Sequence, residues 1–434
     1  MQYYSTNNHQ LKVSLKEAVI AGLASDGGLL MPERIPDLPE GFIKHIRQYN
    51  FRELSMLVAG SFFSGDVPGA ILEQIVTEAI NFETPLVRVS DNIYTLELFH
   101  GPTLAFKDIG ARFMARLLGY FVGGLDQPVH VLVATSGDTG SAVASGFCGV
   151  PGIHVHILYP SGLVSNIHEK QFTTLGQNIT ALEVDGSFDD CQRLVKTTFL
   201  DPALRSRLFL TSANSINLAR LIPQTFYYFN ILAQLPPEHK NLVIAVPSGN
   251  FGNLTAGILA WKMGLPVHRF IAATNINDVV PEYLHSGIFT PRPSCPTIAN
   301  AMDVGNPSNF IRILDLFNNS HEEICRMIGA SVSTDDQMRN TIRKVWQDNH
   351  YLLEPHGATG NRSLSEITEP GITGVFLETA HPAKFQETVE EIIGEEVPVP
   401  ARLADYLGRE KQSVRISGDF REFKEYLNDF PGQK

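Results

Sequence analysis

Apolar and polar positions change their rhythm near residue 85. Before that point the apolar residues recur at helical spacing. Ser14-Leu15-Lys16-Glu17 has the form of a capping box, with Ser14 as N-cap and Glu17 three residues on. Asp26-Gly27-Gly28 then breaks the helical pattern, and Pro32, Pro36 and Pro39 predict a loop. Residues 71–80 predict a second amphipathic helix, and Thr84-Pro85-Leu86 marks the entrance to a different unit. From there, short continuous apolar runs predict buried strands at 129–134, 154–159, 242–246, 269–273 and 374–377. Several are followed by a turn rich in Gly and Ser and then a helical stretch, as at 141–145 and 254–263; another helix is predicted at 109–118. Strands alternating with helices predict an α/β protein with a mainly parallel sheet. The charged C-terminal stretch carries no readable motif.

Composition narrows the function classes. At ~150 residues per domain, 434 residues suggest two to three domains. Lys+Arg of 34 against Asp+Glu of 46 gives a net charge of −12. That balance argues against a duplex nucleic-acid binder, which wants a basic stripe. Cys148, Cys191, Cys295 and Cys325 form no C-x-x-C pair, the usage expected of reduced thiols in the cytoplasm. The N-terminal residues lack the form of a secretory signal, and no apolar run approaches the ~20 residues of a membrane span. The expectation is a soluble cytoplasmic protein.

Three features carry candidate chemistry. Ser136-Gly137-Asp138-Thr139-Gly140 and Ser248-Gly249-Asn250-Phe251-Gly252-Asn253 each follow a predicted strand and open a helix. Glycines let several N–H groups converge, and the helix N-terminus adds about half a positive charge. Either turn alone is an ordinary use of Gly and Ser; two in one chain favour phosphate or carboxylate binding. Neither matches G-x-G-x-x-G or a P-loop, and Ala134 breaks the G-x-S-x-G elbow. His168-Glu169 and His321-Glu322-Glu323 lack the second histidine of H-E-x-x-H, so no metal site is expected. The third feature is Lys107, behind Leu104-Ala105-Phe106 and ahead of a predicted helix. A lysine at a helix start is usually a surface residue. A partly buried one is fit for Schiff-base chemistry. An amine with two phosphate-type loops is what a pyridoxal-phosphate enzyme needs. The residues by themselves give an α/β enzyme that binds a phosphate-bearing ligand.

Longer motifs add a resemblance. Tyr4-Ser5-Thr6, the run from Gly22 to Gly28, the run from Leu98 to Asp108, Thr135 to Gly140, Asn214-Ser215-Ile216-Asn217, Pro247 to Asn253, Asn300-Ala301-Met302-Asp303-Val304 and Thr379 to Phe385 follow one another in the order of the threonine synthase family. The chain resembles that family along its whole length, with Asn7, Ser25 and Leu30 departing from its frequent Arg, Pro and aromatic residue. The resemblance implies the fold-type-II, tryptophan synthase β-like architecture: two open, mainly parallel twisted sheets flanked by helices, behind a mostly helical domain at 1–85. The catalytic region would be 86–434, with a smaller lobe at about 125–215 and the site in a cleft. It implies a lyase that converts O-phospho-L-homoserine and water to L-threonine and phosphate, the last step of threonine biosynthesis, using pyridoxal 5'-phosphate. Lys107 would carry the cofactor as a Schiff base and move protons. Gly249, Asn250, Phe251, Gly252 and Asn253 would hold its phosphate, and Asp138 would meet its ring. Thr379 would face the ring nitrogen with a neutral hydroxyl rather than a carboxylate. Ser136, Gly137, Thr139, Asn214, Asn217, Arg220 and Lys384 are the implied substrate contacts. The implied assembly is a monomer, with a dimer as alternative. Other functions open at this point are a serine/threonine dehydratase of the same fold and a non-catalytic relative that binds a phosphorylated ligand.

Overall fold

The computed structural model describes residues 1–367, 369 and 371–430. The chain divides into two compact units. The first comprises Met31–Phe106 and Leu221–Pro398; the second comprises Gln2–Leu30, Lys107–Arg220 and the chain from Val399 onward. These bounds cut across the expected 1–85 and 125–215 segments. The reason is local for the helical part: Phe51, at the head of the helix Phe51–Phe63, stacks on Tyr227 of the first unit at 6.4 Å.

The first unit is built on a six-stranded sheet in the order Ile328–Val332, Arg269–Thr274, Leu242–Pro247, Thr373–Glu378, Ile93–Glu97, Leu86–Ser90. All neighbours are parallel except the last pair, an antiparallel hairpin. Leu242–Pro247 is buried at every position, which explains why it reads as a continuous apolar run: a central parallel strand is covered on both faces. Val243, Ala245 and Phe376 pack against Met338, Ile342, Ala358 and Leu364 from the helices Asp335–Asn349 and Pro355–Ser365.

The second unit has a five-stranded, all-parallel sheet: Val414–Ser417, Ile179–Asp185, Ile153–Pro160, Val129–Ala134, Phe209–Ser212. Its core joins Leu132, Leu158 and Leu182 to Leu194, Leu204, Phe423 and Leu427. The helix Leu15–Ala21 starts with the expected capping box: Ser14 Oγ accepts from the Glu17 N–H at 3.3 Å, and Glu17 accepts from the Ser14 N–H at 2.8 Å. It stops at Gly22, in the left-handed region with φ +73°, ahead of the Asp26-Gly27-Gly28 break. The N-terminal stretch is less helical than expected. Gln2–Ser5 pairs antiparallel with Lys12–Ser14, and Leu30–Pro32 is a strand. Strands of three or four residues are too short to show an alternation.

The C-terminal stretch completes the second sheet. Val414–Ser417 is an edge strand tied by the Arg415–Asp185 ion pair at 2.7 Å, and the helix Phe420–Asp429 buries Phe423 and Leu427, one turn apart. That helix covers three histidines on neighbouring strands. His130 and His156 are buried and stacked at 5.3 Å, with His130 Nδ1 3.0 Å from His156 Nε2; His156 Nδ1 is 3.0 Å from the Tyr426 hydroxyl. Phe430 sets its ring edge-on to His130, His154 and His156. Burial, and then the neighbouring His154, pushes His130 down to about 4; burial likewise holds His156 well below the ordinary 6.5. The unfolded chain therefore binds more protons than the folded one between pH 6.5 and about 4. Stability is full above pH 6.5 and falls as the pH drops through that window, by up to about 1.4 kcal/mol per pH unit for each histidine. Urea unfolding between pH 7 and 4 will show this slope, and His130→Gln will flatten it; equal slopes for the two proteins would contradict the assignment.

Candidate active site

Both glycine-rich turns lie at the carboxyl ends of central strands, where open α/β sheets bind ligands. In the second unit the turn follows Val129–Ala134 and opens the helix Asp138–Phe147. Thr135 shapes it: its hydroxyl accepts from the Gly137 N–H at 3.0 Å and the Gly140 N–H at 2.8 Å. Gly137 has φ +153°, and a Cβ there would come within 3.0 Å of the His168 ring. Lys107 opens the helix Lys107–Val122, and its Nζ lies 3.4 Å from Asp138 Oδ2. The other carboxylate oxygen, Oδ1, is 3.0 Å from His168 Nε2, and His168 Nδ1 is 2.7 Å from Ser165 Oγ. Lys107 is thus a largely buried amine whose ammonium form is held by a buried carboxylate, and that carboxylate is itself oriented by a histidine.

The implied substrate contacts fare differently. Ser136 and Thr139 are half-buried at the helix start beside Gly137. Asn214 donates to the Ala134 carbonyl at 3.1 Å, at the end of the strand that leads into the turn. Asn217 is fully buried, with its amide donating to the carbonyls of Val19 and Ser212 and accepting from the Ala219 N–H. Its place is that of an internal brace for the helix Leu15–Ala21. Arg220 is buried and donates to the Ala213 carbonyl, while Gly110 packs against its backbone: a Cβ there would lie 2.9 Å from the Arg220 oxygen.

In the first unit the turn follows Leu242–Pro247 and opens the helix Gly252–Lys262. Phe251 takes the left-handed conformation, φ +60°. Asn250 holds the loop from outside: its Oδ1 accepts from the Ser308 N–H at 2.6 Å and its carbonyl accepts from the Asn309 amide at 3.0 Å. Gly249 has no room for a side chain, since a Cβ would lie 2.6 Å from the Ala301 oxygen and 2.7 Å from Met302 Cα. Asp303 fixes that backing segment by accepting from Asn275, Asn277 and Thr297. Asn253 is buried in the first helical turn. Tyr228 donates to its Oδ1 at 2.9 Å, and its Nδ2 donor has no partner among the described residues. A helix N-terminus, close-packed glycines and an unsatisfied buried amide are together features that suit an anion.

The segment before Lys107 is zipped onto the strand end that carries Thr379. Phe106 N–H donates to the Thr379 carbonyl at 2.8 Å, His381 N–H donates to the Leu104 carbonyl at 3.1 Å, and Ala105 and Ala380 form a bridge. Leu104 turns left-handed, φ +57°, to make the approach. Lys384 is buried and donates to the Thr103 carbonyl at 2.9 Å, so it braces this segment. The Thr379 hydroxyl donates to Glu354 Oε1 at 3.2 Å. Glu354 caps the helix Pro355–Ser365 and also accepts from the N–H groups of His356 and Gly357 and from His356 Nδ1 at 2.6 Å. Its own N–H donates to Glu378 Oε1 at 2.7 Å. Both carboxyl groups are fully buried. Burial, and then the Glu354 charge, push Glu378 well above the usual carboxyl range, so it is the protonated member.

His168, Glu354, His356 and Glu378 were not foreseen from the sequence. In the sequence His168 stands only in an incomplete metal pattern, and an acid buried behind a strand end has no signature that separates it from a surface acid. The helix-start signal Glu354-Pro355, an acid followed by proline, was available and would have marked Glu354 as a cap.

Three sequence profiles match the chain: Pyridoxal-phosphate dependent enzyme over residues 78–373, Threonine synthase N terminus over 2–80, and Threonine synthase, C-terminal over 357–427. The threonine synthase of Serratia marcescens is 45% identical over 99% of this chain and 100% of its own. The crystal structure of threonine synthase from Escherichia coli superposes with a TM-score of 0.93 at 44% identity, covering 99% of this chain and 100% of that one. The pyridoxal-phosphate-bound threonine synthase from Brucella melitensis gives a TM-score of 0.92 at 35% identity, covering 98% of each chain. With this fold, this order of motifs and these relatives over its full length, the chain belongs to the threonine synthase family of pyridoxal-phosphate-dependent enzymes.

Proposed function

We propose that this chain converts O-phospho-L-homoserine and water to L-threonine and phosphate, with pyridoxal 5'-phosphate carried on Lys107. Its membership of the threonine synthase family supports the reaction. The observation that carries the site is the position of Lys107: a half-buried amine on Asp138, in the residue that follows Phe106. The residues present fit the cofactor. The cradle at Gly249, Asn250, Phe251, Gly252 and Asn253 suits its phosphate, with Asn253 Nδ2 as a waiting donor. Thr379 suits the ring nitrogen.

When bound, the cofactor supplies an electron sink for charge that develops at the substrate Cα. The Lys107 amine would take the Cα proton on Nζ. Asp138 stabilises the ammonium that results, and His168 holds Asp138 in place. The net reaction would exchange one Cβ hydrogen for the hydroxyl of water and the Cγ phosphate for a hydrogen, and Lys107 would return to Cα the proton it took. Ser136, Gly137 and Thr139 line the turn beside Asp138 and are the proposed contacts of the substrate carboxylate. The enzyme works in this reading as a cytoplasmic monomer on a small soluble substrate. Among the described residues no helix is long and apolar enough to cross a membrane.

Lys107→Ala will lose the visible absorbance band of the cofactor-loaded protein and about a thousandfold or more of phosphate release from O-phosphohomoserine, as loss of both covalent and proton-transfer roles requires. Turnover at the wild-type rate would overturn the assignment. Ammonia release from serine or threonine without phosphate release from O-phosphohomoserine would instead make the protein a dehydratase. Gly249→Ala forces the loop away from Ala301 and Met302. Its apparent affinity for pyridoxal phosphate, read by absorbance titration, will fall about tenfold or more, ~1.4 kcal/mol, with circular dichroism unchanged. Wild-type affinity would show that the loop does not hold the cofactor.

A further inference from the structure

Arg312 stands in the helix Phe310–Leu316 of the first unit and is fully buried. Filling a core with a guanidinium is costly in desolvation, so its placement calls for a reason. Burial pushes it down to about 9, which leaves it charged at neutral pH. Its Nη1 donates to Asn309 Oδ1 at 2.6 Å, a short bond from a charged donor. A guanidinium can only donate. It therefore fixes which end of the Asn309 amide it meets. Oδ1 faces Arg312, and Nδ2 is left to donate to the Asn250 carbonyl at 3.0 Å. The Asn309 N–H reaches the same carbonyl at 3.3 Å. Two donors thus hold the Asn250 carbonyl, while the Ser308 N–H holds the Asn250 side chain at 2.6 Å.

That carbonyl belongs to the peptide between Asn250 and Phe251, which is trans. In a trans peptide the C=O and the N–H point in opposite directions. With the carbonyl held on Asn309, the Phe251 N–H is aimed the other way. Phe251 is a buried aromatic at φ +60°, a conformation that persists only when its surroundings enforce it. Phe310, edge-on to the Phe251 ring at 6.1 Å, adds to that enforcement. Resting on the proposed function, we propose that Arg312 is a positioning residue for the cofactor's phosphate. Through Asn309 it keeps the Asn250 carbonyl turned away from the anion and the Phe251 N–H turned toward it. Without this lock the peptide is free to turn, and a carbonyl dipole that repels the anion replaces a donor.

The test compares pyridoxal 5'-phosphate with pyridoxal, which lacks the phosphate, by absorbance titration of the full-length protein freed of cofactor. Arg312→Met will weaken binding of pyridoxal 5'-phosphate about tenfold or more, while that of pyridoxal changes by less than about twofold. Asn309→Asp leaves Arg312 its acceptor but removes the donor to Asn250. It will show the same phosphate-selective loss, and it carries the test if Arg312→Met does not fold. Wild-type affinity for pyridoxal 5'-phosphate in these variants overturns the inference. So does an equal loss for both compounds, the result expected of residues that only fill the core. A wild-type protein that gains no visible absorbance with pyridoxal 5'-phosphate overturns the proposed function, and this inference with it.

Discussion

Three backbone hydrogen bonds fix the segment that leads into Lys107. Leu98 N–H to the Glu378 carbonyl at 3.0 Å, Phe106 N–H to the Thr379 carbonyl at 2.8 Å and His381 N–H to the Leu104 carbonyl at 3.1 Å fasten residues 98–106 along the end of the strand Thr373–Glu378. Buried backbone groups must be paired, so the left-handed turn at Leu104 and the brace from Lys384 are consequences of this fastening. Lys107 is the next residue. It stands at the head of the helix Lys107–Val122, with its Nζ 3.4 Å from Asp138 Oδ2. Nonpolar packing supplies the platform, since Thr373–Glu378 lies against the fully buried strand Leu242–Pro247.

A net charge of −12 and a family whose chemistry concerns phosphates are compatible for the same structural reason. The cradle in the first unit relies on backbone N–H groups, a helix N-terminus and the Asn253 amide, none of which adds to the net charge. Two buried carboxyl groups have defined hydrogen-bond partners. Asp138 has Lys107 and His168, while Glu354 has the helix it caps and the Thr379 hydroxyl. The site is thus organised by dipoles and single paired charges rather than by a basic patch.

Much of this was legible in the sequence, for identifiable reasons. Val129–Ala134 and Leu242–Pro247 read correctly because central parallel strands are apolar at every position. The turns at Gly137 and Gly249 read correctly because close approach leaves glycine no substitute. Edge elements did not read. Val414–Ser417 is held by an ion pair and four residues of register, a pattern indistinguishable from a charged loop. The second tier of the site was equally silent. Glu354, Glu378 and His356 act through burial and mutual hydrogen bonds, and burial of an acid depends on residues far away in the chain. Asn217, a motif asparagine implied as a substrate contact, has its amide engaged with Val19, Ser212 and Ala219.

The central claim is that the fastening places one particular amine on the cofactor. Borohydride reduction of the cofactor-loaded wild-type protein, followed by peptide mass mapping, measures this directly. The account predicts a single pyridoxyl adduct on Lys107. An adduct on another lysine, or none, would contradict it.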